Sequence, residues 1–182
     1  MIGCDSITLC NCGIVFRIMC GNGFEIGSWV VYPSHGVGKL SGVETVEVDN
    51  ESVEFLVVYF EKCNLTLKIP AVKAVSAGLR KISTKDDINE VFEFLRHKSK
   101  RKKAMWSKRA QEYELKINSG NPVNIAQVVR ELYKEGGEME LSFSERQMYQ
   151  QAMERLAREV SVVENIDESE AVRRLEMVLQ AA

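Results

Sequence analysis

VEFLVVYFEKCNLTLKIP, residues 53–70, decides the class of fold. Residues 53–60 form a nearly continuous apolar run of Val, Phe, Leu and Tyr, the composition of a central strand with both faces largely covered. Glu61 to Asn64 supply a turn. Leu65, Leu67 and Ile69 then alternate with Thr66 and Lys68 in a half-buried strand that Pro70 ends. Upstream, Trp29-Val30-Val31-Tyr32 are β-formers, and Pro33-Ser34-His35-Gly36 carries turn chemistry. A longer strand follows to about Val48, with a hairpin turn at Asp49-Asn50. Four or five antiparallel strands within residues 24–70 predict a small barrel of the SH3 or Tudor kind. So small a core leaves no room for a deep catalytic pocket and suits docking.

From Ser83 onward the apolar spacing becomes helical. Ser83 or Thr84 can cap a first helix, with Asp86 and Asp87 in its first turn and Ile88, Val91, Phe92 and Leu95 on one face. A second helix is predicted from Ala104 to Ile117, stopped by Asn118-Ser119-Gly120. A third places Ile125, Val128, Val129 and Leu132 together and ends at Gly136-Gly137. The fourth opens on overlapping capping boxes, Ser142 to Glu145 and Ser144 to Gln147, and runs through Met148, Ala152, Leu156 and Val160. A last helix after Asp167 uses Val172, Leu175, Val178 and Leu179. The fold class is therefore α+β: a small N-terminal antiparallel Tudor- or SH3-like β-barrel followed by a C-terminal all-α domain. The expected divisions are a poorly ordered extension over 1–23, the barrel over 24–78 and the helical domain over 79–182.

The net charge of −2 conceals an asymmetry. RHKSKRKKAMWSKR, residues 96–109, holds eight Lys or Arg and no acid, which leaves 16 basic against 26 acidic residues elsewhere. Local positive charge, not the whole-chain balance, governs phosphate binding. Lysine-rich runs are most often solvated faces, and a lone Trp on a helix is most often core. Here both occur together. On a helix Trp106 shares a face with Arg109 and Tyr113, so burying the indole would draw a cation inward. A partly exposed indole flanked by Lys and Arg suits a nucleic acid, where cations meet phosphates and the flat ring presses on or between bases.

Enzymatic chemistry finds no support. Gly21-Asn22-Gly23 precedes a strand instead of linking a strand to a helix, so it is no phosphate loop. His35 reads as a turn residue closing the barrel end and His97 as part of the basic face, with no relay partner for either. Glu138 and Glu140 sit in a Gly-flanked linker and read as solvated. No cofactor, metal or small-molecule substrate is expected. Cys4, Cys10, Cys12 and Cys20 crowd the N-terminal segment while Cys63 stands alone, an odd total that does not suit a disulfide framework. A metal or redox sensor built on Cys10, Cys12 and Cys20 would match no common ligand spacing. Met19 is a candidate physiological start. No membrane span or secretory layout is evident, and a cytoplasmic location is expected.

FEIGSWVVYPSHGVGKL followed by EFLVVYFEKCNLTLKIP resembles the amino-terminal domain of the CarD family (CarD/CdnL) of bacterial transcription regulators, a module also found in the transcription–repair coupling factor. MWSKR, INSGNPVNIAQVVRELY and LSFSERQM resemble the family's helical domain in the same order, so the likeness runs from residue 24 to about 180. The resemblance implies a Tudor-like domain that binds the β subunit of RNA polymerase and a helical domain that meets promoter DNA at the upstream edge of the transcription bubble. Trp106 matches the family's minor-groove wedge, and Lys108 and Arg109 match the basic residues that follow it and would be phosphate contacts. Lys134 and Arg146 fall at further basic positions that could border the DNA. Lys68 matches a basic position on the polymerase-facing strand. Val46 departs from the pattern, since some members carry arginine there. The competing reading is a stand-alone, non-specific nucleic-acid-binding protein.

Overall fold

The computed structural model describes residues 23–48, 51–97, 105–133 and 141–181. Five antiparallel strands come first: β1 (Trp29–Tyr32), β2 (Gly36–Val48), β3 (Glu51–Phe60), β4 (Leu65–Pro70) and β5 (Arg80–Lys81), in the order β4-β3-β2-β1-β5. Five helices follow: α1 (Lys85–Arg96), α2 (Trp106–Asn118), α3 (Pro122–Leu132), α4 (Phe143–Glu164) and α5 (Glu168–Gln180). The β2–β3 pairing runs from Lys39↔Tyr59 to Val48↔Glu51, with a register shift between Leu40 and Gly42 that bends β2. The turn expected at Asp49-Asn50 lies outside the described residues, as do Cys4, Cys10, Cys12, Cys20, Met19, Glu138 and Glu140.

β3 is central, but only one of its faces is fully covered. Leu56, Val58 and Phe60 are buried, whereas Phe55, Val57 and Tyr59 are half-covered. The reason is that the sheet supplies its own core: Val30, Leu40, Leu56, Val58, Phe60 and Ile69 meet on the inner face, closed by Phe24, Ala74 and Leu79. Among the described residues no ladder joins β4 to β5, and a 3-10 turn at Ala71–Lys73 with the buried Ala74 bridges that side. β5 pairs with β1 through Val30↔Lys81 and Val31↔Arg80. The sheet therefore reaches past the boundary expected at residue 78, because a two-residue strand leaves no periodicity to read.

The helical termini resolve the capping alternatives. Thr84, not Ser83, caps α1: its hydroxyl accepts from Asp87 N–H, and Asp87 accepts from Thr84 N–H at 2.7 Å. Donation to that carboxylate from the Thr84 N–H, and then from the Thr84 hydroxyl at 2.8 Å, holds the Asp87 carboxyl below the usual carboxylate range. For α4 the outer box operates, Ser142 with Glu145. α3 already ends at Leu132, and the expected stop at Gly136-Gly137 lies outside the described residues. Ile88, Val91, Leu95, Ile125, Val128, Val129, Leu132, Leu156, Val160, Leu175 and Leu179 share one core.

The two domains meet around Pro33, in the β1–β2 turn. Gly78 (φ +85°) and Gly120 (φ +69°) press on it from the sheet side and the α2–α3 loop; a Cβ would lie 2.6 Å from Pro33 Cγ at the first and 3.3 Å from Pro33 Cα at the second. Both also occupy the left-handed region that glycine tolerates best. On one side of this contact Arg155 of α4 donates to the carbonyls of Pro33 (2.6 Å), Ser34 (2.7 Å) and Ile117 (3.1 Å). On the other, Glu159 of α4, fully buried, accepts from Arg80 (2.8 Å), Ser83 Oγ (2.6 Å) and Ser83 N–H (3.2 Å). Arg80 also donates twice to Gly120 O, at 2.5 and 2.9 Å. Lys62–Glu154 and Arg158–Glu61 pairs lie at the rim.

Removing one partner of a buried ion pair strands the other, at a cost of about 3 kcal/mol. Arg80→Ala should lower stability to urea by about that amount, and Arg80→Lys should recover little, because an ammonium cannot bridge Glu159 and the Gly120 carbonyl as a guanidinium fork does. Unfolding midpoints matching wild type for Arg80→Ala would show that the pair contributes no net stability.

Candidate nucleic-acid interface

The basic run enters the described structure at its two ends. At its start, α1 closes on Arg96, and the His97 carbonyl accepts from Arg130 Nε at 3.0 Å; Arg130 also reaches the Leu179 carbonyl at 3.3 Å, tying the end of α1 to α3 and α5. Lys98 to Lys103 lie outside the described residues. At its end, Met105 precedes α2, and its carbonyl accepts from the N–H groups of Lys108 and Arg109, both at 3.1 Å. Trp106 is thus the first residue of α2, placed where a charged segment emerges onto a helix.

Trp106 is half-buried, one part of it packed on the helical core. Tyr113, two turns along, meets the indole edge-on, with centroids 6.4 Å apart and planes at 62°. Tyr113 is completely buried, and its hydroxyl donates to Glu131 of α3 at 3.0 Å; Gln127 donates to the other oxygen of Glu131 at 2.8 Å. Burial, reinforced by the bond to Glu131, pushes the Tyr113 phenol up to about 12. A rigid polar chain thereby runs from the middle of the bundle to the inner edge of the indole.

Arg109, expected as a phosphate contact, lies largely inward. Its guanidinium carbon lies 5.3 Å from the Trp106 ring centroid, its side chain is only 12% exposed, and it pairs with Glu145 of α4 at 3.5 Å. The cation drawn inward with the indole is accommodated by an acid that the sequence marks only as a capping residue. Cation–π attraction to Arg109, itself fixed by the ion pair, adds to the edge contact with Tyr113 in holding the ring. Lys108, by contrast, is exposed beside Trp106. Arg146 is half-exposed in the first turn of α4, and Lys134 lies outside the described residues. The structure therefore brings Trp106, Lys108 and Arg109 to one end of the bundle. Glu145 and Tyr113 complete the arrangement.

Lys68 belongs to the other domain, on β4, an edge strand of the sheet. Its side chain is 54% exposed and pairs with Glu44 of β2 at 2.5 Å. Val46 is also exposed, on β2 opposite Val53. His35 is exposed, its ring 5.8 Å from that of Tyr32 and 5.3 Å from that of Phe60. Cys63 is an exposed thiol in the β3–β4 turn. Among the described residues no group of His, Cys, Asp and Glu is arranged to hold a metal ion, and no helix is long and apolar enough to cross a membrane.

Comparison with known proteins matches both halves of this architecture in order. The CarD-like/TRCF RID domain model matches residues 24–83, ending just after β5, and the CarD C-terminal domain model matches residues 90–176. A Bacillus subtilis (strain 168) protein, the candidate transcription factor YdeB, is 29% identical over 147 residues, covering 81% of this chain and 96% of its own length. With a strand-rich domain and a helical domain each matching its counterpart, the chain belongs to the CarD family of transcription regulators.

Proposed function

We propose that the sheet domain docks on the β subunit of RNA polymerase, and that the helical domain meets promoter DNA at the upstream edge of the bubble, where Trp106 wedges into the minor groove and opposes closing. The posture of Trp106 carries this reading: a half-buried indole braced by Tyr113 and Arg109 at the emergence of the basic run. A side chain held on two sides loses little freedom on insertion, and unstacking a base step costs only a few kcal/mol. Lys108 is the phosphate contact beside it, with Arg146 and Lys134 further along the same DNA. Arg109 positions the indole.

Polymerase supplies the address. β4 lies at the edge of the sheet with Lys68 on it, and an edge strand can accept a strand from a partner. Once docked, the helical domain works at high local concentration, so its DNA contact can be weak and free of sequence preference. It shifts the equilibrium only to the extent that it binds the open complex better than the closed one.

Trp106→Ala should leave polymerase binding intact and shorten open-complex lifetime about tenfold, equivalent to about 1.4 kcal/mol of lost differential contact. Collapse of the helical domain in the same variant, seen by circular dichroism, would instead make the indole structural. Lys68→Glu should weaken binding to the isolated β subunit while leaving binding to free DNA nearly unchanged; parallel loss of both would mean misfolding. Wild-type protein should bind bare duplex weakly. Tight, steeply salt-dependent binding to DNA without polymerase would favour a stand-alone nucleic-acid binder.

A further inference from the structure

Two large apolar side chains at the end of the bundle that carries Trp106 are exposed. Met105, immediately before α2, is 74% exposed, and Phe143, the first residue of α4, is 73% exposed. They belong to one end of the bundle, because the starts of α2 and α4 are joined by Arg109, which touches the Trp106 ring at 5.3 Å and Glu145 at 3.5 Å. Phe143 is not needed to begin its helix: Ser142 and Glu145 form the capping box, and Leu141 supplies the buried anchor. A phenylalanine that neither caps nor packs, at the same end of the bundle as the indole, marks a surface awaiting a partner.

The charge around it selects the partner. Met105 follows the basic run 96–103 in sequence, Lys108 is exposed in the first turn of α2, and Arg146, three residues beyond Phe143 on α4, is half-exposed. Apolar side chains set among cations complement a polyanion that also offers flat apolar surface, which is nucleic acid. We infer that Phe143, with Met105, forms a second apolar contact with promoter DNA, beside the Trp106 wedge. This rests on the proposed open-complex role and deepens it. A single wedge fixes a point on the duplex but leaves the protein free to pivot about it. Apolar contacts from two helices fix a line, so the helical domain cannot roll out of the minor groove, about 6 Å wide, while the indole stays inserted. Arg109–Glu145 then sets the spacing between the contacts as well as the posture of the indole.

The test uses the full chain, the source organism's RNA polymerase holoenzyme and a linear promoter fragment, with Phe143→Ala, Trp106→Ala and wild type compared in parallel. Phe143→Ala should leave the thermal midpoint and holoenzyme affinity unchanged and shorten open-complex lifetime about fivefold, the scale of one lost apolar contact. Lifetime equal to wild type for Phe143→Ala, with Trp106→Ala impaired, overturns the second contact and leaves the wedge standing. No effect of Trp106→Ala overturns the wedge itself. Weaker holoenzyme binding by Phe143→Ala in the absence of DNA would mean that the patch faces protein, which also overturns the inference.

Discussion

Glu159 carries a negative charge into the contact between sheet and bundle, where Arg80 and Ser83 meet its carboxylate from the segment that links the two domains. An unpaired carboxylate at such a site would cost several kcal/mol, so the linking segment is held to one path. That path makes β5 possible, since Arg80 must lie alongside Val31 of β1 while its guanidinium reaches both Glu159 and the Gly120 carbonyl. It also frees Thr84 to cap α1, because Ser83 is already committed. One buried acid therefore coordinates the last strand, the first helix and the loop between α2 and α3. Arg155 performs the matching task on the other side of Pro33, and burial pulls its guanidinium below its ordinary value without threatening its charge.

A second charge pair, Arg109 with Glu145, does for the Trp106 end of the bundle what Arg80 with Glu159 does for the domain contact. In both, an arginine divides its guanidinium between an acid of α4 and another group: the Gly120 carbonyl in one case and the face of Trp106 in the other. Placing both acids on α4 makes that helix the common reference for the two ends of the molecule. Bundle stability comes mainly from the shared apolar core, and these pairs contribute chiefly specificity of placement.

The elements were legible where they depend on local pattern. The alternation of Leu65, Leu67 and Ile69, the Thr84–Asp87 spacing and the Ser142–Glu145 box are short-range signals, and each corresponds to an observed strand or cap. Trp106 stood out because indole and cations sit within four residues of one another. Long-range contacts could not be read: Arg80 and Glu159 are 79 residues apart, and Arg155 and Pro33 are 122 apart. Nothing around Glu159 in the sequence separates it from an exposed helical glutamate. The fate of Arg109 was hidden for the same reason, since its acid partner lies on another helix. β3 read as doubly covered because aromatic and β-branched residues populate both of its faces; only the curl of the sheet decides which face becomes core.

The contact between the domains matters for the proposed role, in which a partner carries the regulator to its site. With a flexible linker, the helical domain would sample a large volume around its dock and bind open and closed promoter geometries with similar opportunity. In the proposed role, the charged contacts that flank Pro33 restrict how the bundle sits against the sheet. Effective concentration is then high only where the minor groove lies at that offset from the polymerase surface. Discrimination between promoter states can thus arise from geometry, with no base read and no large intrinsic affinity for DNA. A net acidic protein with one local basic run fits the proposed division of labour, in which the sheet finds polymerase and the bundle meets DNA only where polymerase has placed it.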